Sequence, residues 1–116
     1  MNILLVNDVS IILEGEKRVV LKVLGEVTKV FKAENPAKVI EIVKENDIDI
    51  AIIDDELPRE NGIETSKKIK EIKPDIKIII TSDDENYKAE AMAAGASYFI
   101  SMPVTVENLK KCLQEM

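Results

Sequence analysis

Histidine is absent from all 116 residues. That absence excludes Ser-His-Asp and Cys-His catalysis, histidine-ligated zinc and any phosphohistidine within this chain. Aromatic residues make up only 3%, and acidic residues outnumber basic ones 22 to 16. No Lys/Arg cluster is interleaved with aromatics, so the phosphate neutralisation that drives nucleic-acid binding has no source, and no direct nucleic-acid partner is expected. No run approaches the roughly 20 apolar residues of a membrane span. The N-terminus enters a strand without a charged region or cleavage site, so a cytoplasmic chain with no membrane partner is expected. The one cysteine, Cys112, lies in the series Leu109, Cys112, Leu113, Met116; that spacing reads as a buried helix face and not as a ligand or nucleophile.

What is present is apolar patterning. With 46% apolar residues the chain can fill one core without staples, which predicts a single domain over 1–116. Periodicity predicts a strand at 2–7 and a helix at 10–24, with Ile12, Val19, Val20, Val23 and Leu24 sharing a face and Asp8 or Ser10 as its cap. A weaker strand follows at 27–32. Asn35 and Pro36 open a second helix reaching Glu45, with Ile40 and Val43 inward. A third strand spans 48–53, and a turn-rich loop ends at Asn61-Gly62. A polar helix over 63–72 stops before Pro74. A fourth strand covers 76–80, and a helix over 84–94 is closed by Gly95. Asp83, Asp84 and Glu85 are placed to favour that helix's positive end. Tyr98 to Ile100 forms a short fifth strand, and a last helix, capped by Thr105, follows Pro103. Five βα units with near-continuous apolar strands require a parallel sheet covered on both faces, because such crossovers are right-handed.

Such sheets bind ligands at the C-terminal ends of their strands. Three strands end there in polar groups: the first in Asp8, the third in Asp54, the fourth in Thr81. Two carboxylates at adjacent strand ends repel unless a cation or proton intervenes, and hard oxygen ligands of this kind suit Mg²⁺. Thr81 offers a hydroxyl, and the Ser82 amide a further donor, to a phosphoryl group on Asp54. Carboxylates do serve as phosphoryl-accepting nucleophiles.

The chain here resembles the receiver domain of two-component response regulators over essentially its whole length. The motifs are Val6-Asn7-Asp8, the run Asp49 to Asp54 with Leu57-Pro58 and Gly62, Thr81-Ser82, and Gly95-Ala96-Ser97-Tyr98-Phe99 leading to Met102-Pro103. Each is weak alone; their order and spacing together are specific. The resemblance implies a doubly wound five-stranded parallel α/β sheet with the flavodoxin-like order 2-1-3-4-5. It implies that Asp54 is the phosphoacceptor, that Asp8 binds Mg²⁺ together with Asp54 and the Glu56 backbone carbonyl, and that Thr81 and Phe99 form the switch. It further implies a sensor histidine kinase or phosphotransfer protein as donor. The output face is then the fourth helix, fifth strand and fifth helix, around Lys88, Ala91, Met92, Tyr98, Val106 and Lys110.

Two positions depart from the family pattern. Asn7-Asp8 stands where an acidic pair is usual, leaving Asn7 as a weak or water-mediated metal contact, and Met102 stands where a lysine precedes the proline. The exchange removes one negative and one positive charge, so the formal balance is unchanged. Loss of the lysine removes a charge-assisted donor, worth about 1.5 to 3 kcal/mol in a bound state and about 10² to 10³ in rate. Glu56 adds an acid that either joins the metal shell or stands where a phosphoryl group would sit. Two functions follow: a stand-alone response regulator with impaired phosphochemistry, an enzyme at most toward itself, or a phosphorylation-independent pseudo-receiver binding module. A flavodoxin-like cofactor binder lacks its glycine-bearing loop in Asn7-Asp8-Val9-Ser10-Ile11. A haloacid-dehalogenase-type phosphatase would carry its acids after the first strand.

Overall fold

The computed structural model describes residues 1–116. Five strands, β1 (Asn2–Val6), β2 (Lys29–Ala33), β3 (Ile50–Asp54), β4 (Lys77–Ser82) and β5 (Tyr98–Ser101), form one parallel sheet in the order β2-β1-β3-β4-β5. The helices are α1 (Ser10–Leu24), α2 (Pro36–Glu45), α3 (Gly62–Ile72), α4 (Tyr87–Ala93) and α5 (Val106–Glu115). This is the covered parallel sheet expected from the strand and helix alternation, in the doubly wound, flavodoxin-like order that the resemblance implies.

Strand periodicity divides the core. Leu4, Val6, Ala51, Ile53, Ile78 and Ile80 face one side, where they pack with Val39, Val43 and Ile69 of α2 and α3. Ile3, Leu5, Ile50, Ile52 and Ile79 face the other, against Leu13 and Val20 of α1 and Leu109 and Cys112 of α5. Successive side chains point to opposite faces of a strand, so both faces of the central strands must be apolar. Edge strand β2 leaves Lys29 and Lys32 exposed, which disfavours pairing with another edge. No helix is long and apolar enough to cross a membrane.

The caps of α2, α3 and α5 follow from their sequences. Asn35 accepts from the Lys38 amide ahead of Pro36, and Asn61 with Glu64 and Thr105 with Asn108 form reciprocal capping boxes. Four expectations are corrected. Neither Asp8 nor Ser10 caps α1; Val9 occupies that position and makes no side-chain cap bond. Helix α4 begins at Tyr87 and not at 84, because the Asn86 amide bonds the Asp84 carboxylate and the Asp84 amide bonds the Ser82 hydroxyl, holding the segment in a turn. The deepest residues of α1 are Leu13, Glu16 and Val20, while Ile12, Val19, Val23 and Leu24 are half-buried. Ile40 is likewise half-buried, and Val39, Ile42 and Val43 carry the α2 contact.

Candidate functional site

The sheet register brings the predicted residues together. Val6 pairs with Ile53, so Asn7 and Asp8 leave β1 beside the end of β3, and Asp54 pairs with Thr81. The Thr81 hydroxyl faces Asp54 Oδ1 at 3.5 Å, at the long limit of a hydrogen bond. Asn7, Asp8, Asp54, Glu56, Asp83 and Met102 line one cavity of about 370 Å³, with Val9, Ile12, Leu57 and Pro58 as its remaining wall. Asn7 is buried and accepts from the Val9 amide, which turns the chain from β1 into α1.

The loop after β3 is fixed from behind. The Asp55 amide donates to the Thr81 carbonyl, the Gly62 amide to the Asp55 carbonyl, and the Ser82 hydroxyl to Asp55 Oδ2 at 2.9 Å. The Ser82 hydroxyl is thus spent on Asp55, a partnership the sequence did not suggest. Gly62 is required by space: a Cβ there would lie 2.4 Å from the Asp54 carbonyl oxygen. Gly62→Ala is therefore expected to displace this loop and lower stability by about 1 to 3 kcal/mol. A urea midpoint unchanged from the parent would show that the loop yields freely.

Charge is the site's dominant property. Burial pushes the Asp54 carboxyl up to about 6, with the negative charge of Asp55 next in weight and Asp8 and Glu56 adding to it; a hydrogen bond from the Glu56 backbone works the other way. No lysine or arginine lines the cavity. Such an uncompensated acidic set suits a cation. No three His, Cys, Asp or Glu side chains converge, so a divalent ion would rest on Asp8, Asp54, a backbone carbonyl and water. That donor set fits Mg²⁺, which keeps several waters and needs only one or two carboxylates.

Phe99 is buried in the core beside Ile80, its register partner. Met102 is half-buried and lines the Asp54 cavity, and the Met102 amide donates to the Ser82 carbonyl. On the expected output face Lys88, Met92 and Lys110 are exposed and Tyr98 and Val106 half-buried. Ala91 is fully buried and is not available to a partner there.

One residue escaped the sequence reading. Glu16 is 4% exposed, and its Oε2 has no hydrogen-bond partner. Burial, followed by the Asp54 charge, pushes its carboxyl up to about 8. Its spacing from Leu13 and Val20, i, i+3 and i+7, was the available signal.

The response regulator receiver domain family matches residues 3–114. The chain belongs to this family. Its relatives include the chemotaxis protein CheY of Bacillus subtilis, 30% identical over 115 residues, which cover 97% of this chain and 94% of that protein. A cyclic di-GMP phosphodiesterase of Thermotoga maritima is 36% identical over 112 residues, covering 95% of this chain and 29% of the enzyme. The transcriptional regulator DegU of Brevibacillus brevis is 29% identical over 100 residues, covering 84% of this chain and 42% of that protein. The chain therefore spans less than half the length of several of the curated relatives it matches. Among solved structures, a receiver domain protein from Clostridium thermocellum superposes with a TM-score of 0.85 at 28% identity, covering 97% of this chain and 90% of that one. The response regulator TrrA of Thermotoga maritima, in complex with Mg(2+)-BeF, superposes with a TM-score of 0.84 at 25% identity, covering 98% and 96%. As a receiver domain, the chain is a signalling module of two-component systems.

Proposed function

We propose that this receiver accepts a phosphoryl group on Asp54 from a histidine kinase or phosphotransfer protein. The observation that carries the reading is the Asp54 carboxylate at the C-terminal end of β3, in one cavity with Asp8, Asn7 and Glu56 and facing the Thr81 hydroxyl. An Asp54 oxygen bonds to phosphorus as the phosphorus–nitrogen bond to the donor's histidine breaks. Thr81 donates to a phosphoryl oxygen, and its movement biases the buried Phe99 between two packings. Asp8, Asp54 and the Glu56 carbonyl would hold Mg²⁺, with Asn7 contributing through water. When bound, the ion offsets the charge that accumulates on the transferring oxygens. Output is protein contact across α4, β5 and α5, through Lys88, Met92, Tyr98, Val106 and Lys110. The domain occupies 1–116.

Met102 puts an apolar thioether where the family pattern has an ammonium, so transfer is slow. The same residue, together with the buried acid Glu16, favours a second reading, a phosphorylation-independent binding module. Intact mass after incubation with a small phosphodonor and Mg²⁺ separates the two. One phosphoryl group, absent from an Asp54→Asn control, is the expected result. No addition after long incubation would leave the binding module as the function.

A further inference from the structure

Beside the Asp54 cavity lies a second one of about 470 Å³, between α1 and the segments that follow β4 and β5. Ile12, Asp83 and Met102 line both cavities, so the two are neighbours with a common wall. Glu16 closes the inner end, Asp83 stands exposed at the rim, and the remaining walls are Gly15, Val19, Pro103 and Val104. The walls carry no basic group: their only titratable side chains are Glu16 from α1 and Asp83 from the segment after β4, with none from the segment after β5. The acids are not paired elsewhere, since neither takes part in an ion pair and the buried Glu16 Oε2 lacks any partner. A buried carboxyl group normally has its partner, so an orphan oxygen on a residue that lines a cavity marks a missing one.

The missing group has a definite chemistry. A divalent cation on these two carboxylates is the competing occupant, which titration with Mg²⁺ separates. Apolar walls along the slot with acids at its end and mouth match a side chain with an aliphatic stem and a cationic head. We propose that the slot receives a lysine or arginine side chain of a partner protein, its head group on Glu16 and its stem against Met102 and Val104. The inserted cation would stand in the region left uncharged by Met102, between Glu16 and Asp54. A protein partner is favoured over a free amine by the surface around the mouth. Val9 and Ile11 are 42% and 78% exposed, and Ile11 lies one helical turn before Gly15 on the same side of α1. An apolar rim around an acidic slot suits a partner surface that carries one projecting basic residue. Gly15 leaves the mouth open, since a Cβ built there meets nothing within 4 Å.

The inference goes beyond phosphoryl transfer, and its test reads binding alone. The intact chain with ¹³C-labelled methionine and valine methyl groups is titrated at about pH 8 with n-butylammonium, n-butylguanidinium, n-butanol and Mg²⁺. Saturable shifts at Met102 and Val104 are expected with the two cations and not with butanol. Glu16→Gln should weaken cation binding at least tenfold. Gly15→Leu, whose Cβ has free space at the mouth, should abolish it. Blocked lysine, N-acetyl-lysine methylamide, should bind within about threefold of butylammonium. Equal shifts with butanol, shifts with Mg²⁺ alone, or undiminished binding in either variant would overturn the slot. Exclusion of the blocked lysine while the free amine binds would overturn the partner side chain as its occupant.

Discussion

Met102→Lys is expected to raise the rate of Asp54 phosphorylation by about 10² to 10³, the usual worth of one preorganised donor aimed at developing charge. Position 102 borders both the Asp54 cavity and the Glu16 cavity, and its backbone is tied to the end of β4 through the Ser82 carbonyl. A lysine there reaches the phosphoryl site from a fixed base. Its three N–H donors replace a thioether that accepts only weakly. Glu16 competes for the same ammonium. If the buried acid captured it, Met102→Lys alone would gain little and the double variant with Glu16→Gln would recover the rate. The rate is read from intact mass against time at fixed phosphodonor and Mg²⁺. A change of less than about threefold in both variants would mean that Met102 is not what limits this site.

Much of this arrangement was readable in the chain because it rests on strand ends. An apolar run that stops in a carboxylate has to deliver that carboxylate to the sheet's C-terminal edge, and parallel register then sets Asp54 against Thr81. Asn35-Pro36 and Asn61 with Glu64 announced their helices through donors that only a cap can satisfy. What misled was local competition. Asp83 to Asn86 have the charge of a helix start, yet Ser82 and Asp84 side chains bind nearby amides more readily in a turn, so α4 is seven residues long. Glu16 misled for a different reason. Glutamate is almost never fully buried without a partner, so a glutamate on the Leu13 and Val20 stripe gives no signal of burial by itself. Met102, which departs from the family pattern, and Glu16 are far apart in sequence, and only their meeting at one cavity wall makes the second visible.

That meeting gives the chain an unusual dependence of stability on pH. Glu16 has a folded value of about 8 against 4.5 for an ordinary glutamate. The folded state thus holds a proton that the unfolded state releases between these values, and stability falls as pH rises through that window. By linkage the folded state is expected to lose about 2 kcal/mol between pH 6 and pH 8 from this group alone. Asp54, also raised, contributes a loss of the same sign, but below about 6, so the upper range isolates Glu16. Urea unfolding followed across that range should show the decline in the parent and a nearly flat profile in Glu16→Gln, which keeps the shape and removes the titration. A parent profile that is flat or rising would show that Glu16 is ionised in the folded chain and has a counter-charge after all. Met102→Lys should flatten the profile by the opposite route, since an ammonium beside Glu16 favours its charged form and draws the folded value down toward the unfolded one. Two substitutions that share no chemistry, one deleting the acid's proton and one supplying its cation, then converge on the same pH profile, which is the outcome expected if the acid and the absent lysine belong to one electrostatic unit.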